Sequence, residues 1–363
     1  MSIETAFVSS VDVGAGNPSH ARARARQLEK HGVNVAYESI AFSAIAVQWL
    51  HSYMRENPHV YERYTKESEN VRGGLAMTAF GVMALLEFFS KHKDWILKLL
   101  RDELVYSLGL GVQEHQYAGM SPQILRQLFG LCILDTADVY PKKSADHIFN
   151  KGVIPAVWNQ AALQQLRLQG YDTLFVEPAL PRGFSELPKM GQTTDDIVLI
   201  SSGSGLPDQL RDTMIGGLRL TGRKFDAWLP GEGRWVSNNS DLKLSQDTAA
   251  IQAEIYRRLH DTPPAILISP PSEKVQVAAA LRTEGWTGIL APYQICGDHE
   301  RLNTIWGVRN GLLYRGLLDT SSADAVARHI DSILKRSYPH LTEKEMGLGT
   351  QSIYDAAHER SAL

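Results

Sequence analysis

The sequence predicts an α/β protein made of two successive halves with the same general pattern. Three observations carry this expectation. An apolar run at residues 4–13 passes into a glycine-bearing turn, Gly14-Ala-Gly-Asn-Pro-Ser19, and then into a helical stretch. A second such unit starts at 195–207, where Asp195-Asp-Ile-Val-Leu-Ile200 leads into Ser201-Ser-Gly-Ser-Gly205 and a helix over 208–218. Between and after them, short aliphatic runs alternate with helical periods, the pattern of parallel strands joined by crossover helices. With 363 residues the chain is long enough for two separate cores.

In the first half, the turn after strand 4–13 lets the backbone approach a ligand, and the helix start behind it supplies free N–H groups. Gly14, Gly16 and Asn17 are therefore candidates for a binding loop. Gly-Ala-Gly lacks the third glycine of the dinucleotide fingerprint, which argues against a nicotinamide enzyme. The helix at 20–31 carries Arg22, Arg24 and Arg26 at alternating positions, spread over different faces, and most are expected to be solvated. Residues 32–37 give a second strand. Residues 40–105 read as helical and rich in aromatics, with a break at Asn57-Pro58. The most apolar part, 73–89, falls short of the roughly 20 apolar residues that span a bilayer and contains Glu87. It reads as a core helix, with a membrane-surface role kept open by Lys91, Lys93, Lys98 and Arg101 around Trp95.

A strand at 106–112 ends in Gln113-Glu-His-Gln116, which puts Glu114 and His115 at the carboxyl edge of a sheet, where open α/β folds bind ligands. The run at 128–134 ends in Asp135-Thr-Ala-Asp-Val-Tyr-Pro141. A strand at 152–157, a helix at 159–170 and a strand at 172–177 follow. The Pro-rich stretch 178–188 suits a linker, with a boundary near 185.

In the second half, strands at 224–229 and 265–269 precede Ser269-Pro-Pro-Ser-Glu-Lys-Val-Gln276. An apolar run at 288–291 enters Pro292-Tyr-Gln-Ile-Cys-Gly-Asp-His-Glu-Arg-Leu-Asn303, with Gln294 in the turn and His299, Glu300 and Asn303 at a helix start. Such a place holds an anionic ligand, although polar residues there also serve as plain helix caps. Ser201 to Gly205 is a second run of small residues whose N–H groups suit a diphosphate. Helices are expected at 324–336 and through 342–363.

Composition narrows the function classes. A hydrophobic share of 44% with 21% charged residues is ordinary for a soluble globular chain. A net charge of −3 gives no general attraction to nucleic acid. Cys132 and Cys296 stand far apart without metal-ligand spacing, so neither a disulfide framework nor a zinc site is expected. The N-terminus has no basic region ahead of an apolar core, which argues against a secretory signal. The expectation is a cytoplasmic protein with reduced thiols, peripheral membrane contact remaining open.

Taken in order, these landmarks resemble two-domain glycosyltransferases of the GT-B fold, in the group of monogalactosyldiacylglycerol synthases and the peptidoglycan N-acetylglucosaminyltransferase. Ser9 to Ala21 is similar to the first Gly-rich loop of that family. His51 to Tyr64 looks like its aromatic helix-and-proline segment, Gln113 to Gln116 its His-Pro strand end, and Leu134 to Pro141 its Thr-Asp strand end. Leu180-Pro-Arg-Gly-Phe184 resembles the segment closing the first domain, Ser201 to Gly205 the turn opening the second, and Gly297 to Asn303 with Val308-Arg-Asn-Gly311 the donor side.

The resemblance implies two Rossmann-like domains facing each other across a cleft: an acceptor domain at 1–185, a nucleotide-sugar domain at 186–335, and a helical tail at 336–363 packing back on the first. It implies inverting, metal-independent transfer from a nucleotide sugar, a UDP-sugar favoured, to the hydroxyl of a small or lipidic acceptor, with no further cofactor. His20, His115 and Asp138 are candidates for the base, His20 favoured because it lies at the first loop. Ser202, Gly203, Ser204, Gly205, Glu273, Gln294, His299, Glu300 and Asn303 are the donor-side candidates. Two departures stand out. The family's base position falls at Ala15 or Asn17 depending on the alignment, and the ribose-binding Glu motif is replaced by Pro271-Ser-Glu-Lys-Val-Gln276, where Glu273 or Gln276 takes its place. A nucleotide-sugar epimerase and a non-catalytic sugar-nucleotide-binding protein are the alternatives on the same fold.

Overall fold

The structure, a computed structural model, describes residues 3–11, 16–40, 52–53, 56–60, 90, 93, 107–111, 129–135, 153–179, 189–201, 205–244, 248–295, 297–338 and 341–361. Within them the chain is α/β, with two six-stranded, mostly parallel sheets. This is compatible with a two-domain Rossmann-like architecture.

The first sheet takes β1 (Thr5–Val11), β2 (Asn34–Ile40), β3 (Ser107–Gly111), β4 (Leu131–Asp135), β5 (Ile154–Val157) and β6 (Leu174–Phe175) in the order β2-β1-β3-β4-β5-β6. Every pairing in it is parallel. Helix α1 (Gly16–Lys30) carries the chain from β1 to β2 on one side, while β3 pairs on the other side of β1. The strand order therefore reverses between β1 and β3, and such a reversal opens a crevice at the carboxyl ends of the strands.

The side chains explain which face α1 covers. Ala6, Val8, Leu108, Leu110, Ile133 and Ala156 point to one face and pack with Ala21, Ala25 and Leu28 of α1. On the opposite face Phe7 stacks with Phe129 at 6.0 Å. A Cβ at Gly109 would fall 2.6 Å from the Phe129 ring, so the glycine is what lets that ring lie on β3. Helix α2 (Gln160–Leu168) starts at Asn159, whose Oδ1 accepts from the Ala162 N–H at 2.8 Å, a side-chain N-cap.

The second sheet has the order β10-β9-β8-β7-β11-β12, from β7 (Ile197–Ile200), β8 (Phe225–Leu229), β9 (Arg234–Ser237), β10 (Asp241–Lys243), β11 (Ile266–Ile268) and β12 (Ile289–Ala291). Only β9 runs against the other strands, so its pairings with β8 and β10 are the antiparallel ones. Strand alternation divides its core in two. Ile197, Leu199, Phe225, Ala227, Ile266 and Ile289 meet α3 (Asp208–Leu220) and α7 (Ala323–Leu334). Val198, Ile200, Trp228, Leu267 and Leu290 meet α4 (Thr248–Asp261) and α5 (Lys274–Thr283). Helices α3 and α7 approach closely because Gly217 has no side chain; a Cβ there would fall 2.4 Å from the Val326 Cβ. Helix α6 (Gly297–Arg309) follows β12.

Two features join the halves. The Trp158 ring, just past β5, is T-shaped against Trp306 of α6 with centroids 4.9 Å apart, and both belong to the core on the α4–α5 side. Then the chain returns. Helices α8 (Glu343–Met346) and α9 (Ile353–Ser361) belong to a segment that runs along the first sheet. The Gln160 N–H donates to Gly347 O, the Gly349 N–H to Trp158 O, and the Glu177 N–H to Gln351 O. Ile353, Ala356 and Ala357 complete the core under α1. Tyr354 stacks on His31 at 4.4 Å, and Arg360 pairs with Asp172.

Several sequence expectations shift. The first helix starts at Gly16, and the strand expected at 172–177 shortens to Leu174–Phe175. The helical tail expected at 342–363 takes the form of two short helices, the first of which stops at Gly347 with φ 63°. The β9–β10 hairpin and α4 were not singled out in the sequence. The apolar stretch 73–89 and most of 40–105 lie outside the described residues. Among the described residues no helix is long and apolar enough to cross a membrane.

Candidate functional site

The polar groups of the first half converge on the end of β4. Asp135 is its last residue and faces α1, because Ile133 two residues earlier already does. Helix α1 presents His20 and Arg24 one turn apart on the stripe that also holds Ala21, Ala25 and Leu28. All three polar side chains are buried. His20 Nε2 lies 2.7 Å from Asp135 Oδ2, and Arg24 Nε donates to that same oxygen at 2.5 Å.

The electrostatics follow from this geometry. Burial alone would push the Asp135 carboxyl up, but the Arg24 and His20 charges and their hydrogen bonds outweigh it and hold the group well below the usual carboxylate range. Asp135 is thus an acceptor, so His20 Nε2 donates the hydrogen of their bond. Arg24 reaches further. Its Nη1 donates to Gln27 Oε1 and its Nη2 to the Glu177 carbonyl, both at 2.8 Å, while Gln27 Nε2 donates to the Glu177 carboxylate at 2.6 Å. The expectation that Arg22, Arg24 and Arg26 are mostly solvated is corrected: Arg24 is fully buried, and Arg22 and Arg26 are half-buried, Arg22 lying over the Tyr37 ring.

In the second half, the loops after β7, β11 and β12 gather at one edge, and the strand order reverses between β7 and β11. Gly205 closes the turn after β7 with φ 81°, a conformation suited to glycine. The next N–H, of Leu206, donates to Glu232 Oε1 at 3.3 Å, and Glu232 also pairs with Arg211 of α3. After β11, the Glu273 carboxylate accepts from the Tyr256 hydroxyl at 3.2 Å and from Lys274 Nζ. Burial, with Glu273 beside it, pushes the Tyr256 phenol well above its ordinary range. Gln276 is buried in the first turn of α5, and neither of its amide atoms has a partner among the described residues. After β12, Gln294 is half-buried. Glu300 and Asn303 lie on the buried side of α6, and Asn303 Nδ2 donates to Pro271 O at 3.1 Å, fastening α6 to the loop after β11.

Of the residues singled out in the sequence, His20, Gly205, Glu273, Gln294, Glu300 and Asn303 are thus placed at the carboxyl edges of the two sheets. Gly16, Asn17 and His299 lie in helix starts, their backbone alone being described. Gly14, His115, Asp138, Ser202, Gly203 and Ser204 lie outside the described residues. Asp135 and Arg24 were not singled out as site residues. The i, i+4 spacing of His20 and Arg24 beside Ala21, Ala25 and Leu28 is the signal that marks Arg24 as inward-facing. Among the described residues no group of three or more His, Cys, Asp or Glu side chains is arranged to hold a metal ion.

No protein-family model matches the chain, and no curated protein matches it. The chemistry therefore rests on the geometry. An imidazole that donates to an ionised carboxylate from one nitrogen can, in its neutral form, accept a proton at the other, and the carboxylate stabilises the conjugate acid.

Proposed function

We propose that the chain is a glycosyltransferase of GT-B type, moving a sugar from a nucleotide-sugar donor, a UDP-sugar by preference, to an acceptor hydroxyl. The observation that carries this reading is the 2.7 Å contact between His20 Nε2 and Asp135 Oδ2 beside the crevice between β1 and β3. His20 lies in the helix after the first strand, and the buried carboxylate supplies the partner that such a base needs.

In this reading the proton of the acceptor hydroxyl passes to His20 Nδ1 as its oxygen forms a bond to the anomeric carbon. The bond from that carbon to the diphosphate oxygen breaks, and the nucleoside diphosphate leaves with the electron pair. Asp135, kept ionised by Arg24, stabilises the imidazolium formed on the way. The donor occupies the edge of the second sheet. The turn around Gly205 and the start of α6 offer N–H groups to the diphosphate. Glu273, Gln294 and Glu300 are the side chains for its hydroxyls, and Asn303 holds the loop at Pro271.

The test is a thermal-shift screen of the full chain with UDP-, TDP- and GDP-sugars, followed by nucleotide release with an acceptor panel. A UDP-sugar at about 100 times its Kd adds about 2.7 kcal/mol of stability and raises the melting temperature. His20→Ala should keep that response and lose about 10²- to 10⁴-fold in turnover. No response to any nucleotide sugar sinks the assignment.

A further inference from the structure

Arg24 stands at the centre of a chain of contacts that begins at His20 and ends outside the first sheet. His20 Nε2 meets Asp135 Oδ2, and Arg24 Nε donates to the same oxygen. Arg24 Nη2 donates to the Glu177 carbonyl, and the N–H of that same residue donates to Gln351 O on the segment returning from the second half. One residue before Glu177, that segment touches the backbone again: a Cβ at Gly349 would fall 2.1 Å from Val176 O, so the strap lies against this backbone without room for a side chain. A guanidinium is a rigid planar fork. Its Nε and Nη2 positions are therefore fixed relative to each other, and a shift of the Glu177 carbonyl is passed to the Asp135 carboxylate.

We propose that Arg24 is a positioning residue that couples the orientation of the His20 imidazole to the docking of the returning segment 341–361. The imidazole is held in one tautomer when the strap is seated on residues 176–177. When the strap lifts, the Glu177 carbonyl moves, the rigid fork of Arg24 carries the Asp135 carboxylate with it, and the displaced carboxylate no longer fixes the ring. The same segment leaves the second half through α8 and the Trp158 contact region, so the set of the second half against the first governs the readiness of the base. The idea that this matters for turnover rests on the transferase reading above; the coupling itself does not.

The experiment reads the ring directly, without substrate. The full chain is labelled with ring-¹⁵N histidine, and of its 12 histidines His20 is assigned by the signal lost in His20→Gln. The parent is expected to show a single tautomer with a protonated, exchange-protected Nε2 and an unprotonated Nδ1. Gly349→Ala, which wedges the strap off Val176, should replace this with averaged tautomers and loss of the protected ring proton. Arg24→Met should do the same. Arg24→Lys keeps a cation for Asp135 but cannot fork to Glu177, so the single tautomer should survive and no longer respond when Gly349→Ala is added. Gly217→Ala, a wedge of similar severity between α3 and α7, serves as the control for general destabilisation and should leave the His20 signal in place. If Arg24→Met does not fold, the Gly349→Ala and Arg24→Lys pair decides alone. An unchanged His20 pattern in Gly349→Ala, or an equal change in Gly217→Ala, overturns the coupling. Absence of nucleotide-sugar binding would overturn the transferase reading and leave this result standing.

Discussion

Replacing Asp135 by Asn tests the energetics of the candidate base site without touching the imidazole. In the parent, one carboxylate oxygen takes hydrogen bonds from Arg24 at 2.5 Å and from His20 at 2.7 Å, in a place where all three side chains are buried. Asp135→Asn removes the one charged acceptor of the Arg24 guanidinium among the described residues, since its two other acceptors, Gln27 Oε1 and Glu177 O, are neutral atoms. Leaving one member of a buried ion pair uncompensated costs about 3–5 kcal/mol. With a urea dependence of about 2–3 kcal/mol per M, the unfolding midpoint should fall by more than about 1 M. The double variant Asp135→Asn/Arg24→Met removes the stranded cation as well and should be at least about 1 kcal/mol more stable than the single one. The pH dependence has a definite sign. Because the folded-state carboxyl is held below its ordinary value of 3.8, its stabilisation is present above that value and lost as pH falls through the lower, folded range. The difference between parent and Asp135→Asn should therefore close only below about pH 4. A single variant within about 1 kcal/mol of the parent at neutral pH would refute the picture of a compensated buried charge.

Other changes test the joints of the fold. Trp158→Ala deletes a fully buried indole packed edge-on against Trp306 and should cost about 3–5 kcal/mol in denaturant unfolding. Gly217→Ala forces a methyl into the Val326 contact and should lower stability by about 1–3 kcal/mol, read as a lower melting temperature. Asn159→Ala removes the N-cap of α2 and should cost about 0.5–2 kcal/mol, with loss of amide protection confined at first to residues 160–163 in hydrogen exchange.

The parallel strands were readable because they are covered on both faces. Ile197–Ile200, Phe225–Leu229 and Ile289–Ala291 are buried at every position and read as apolar runs, broken only by Asp226, which pairs with Arg258. The β9–β10 hairpin gives no such signal: Asp241–Lys243 is exposed throughout, and an edge strand has no apolar periodicity to detect. The site was readable on the side where one helix turn decides it. His20 follows the first strand directly, while its partner comes from 115 residues away and depends on where β4 stops. The apolar run 128–134 sets that end one residue short and points past the strand to Asp138, while Asp135 completes the strand. Arg24 looked solvated for the same reason: its ion-pair partner is 111 residues distant, and spacing within the helix says nothing of a distant acceptor.

The return of the chain under α1 sets an order of events during synthesis. Ile353, Ala356 and Ala357 fill the core beside Val8, Leu28 and Ile133, so the first sheet is not complete when its own strands have been made. A nascent chain ending before residue 353 leaves that face of α1 open while the second sheet, whose strands end at Ala291, already has all of its own. The half translated first is therefore the half finished last. Premature termination before residue 353 should show as exposure of the first core, with the second sheet still intact.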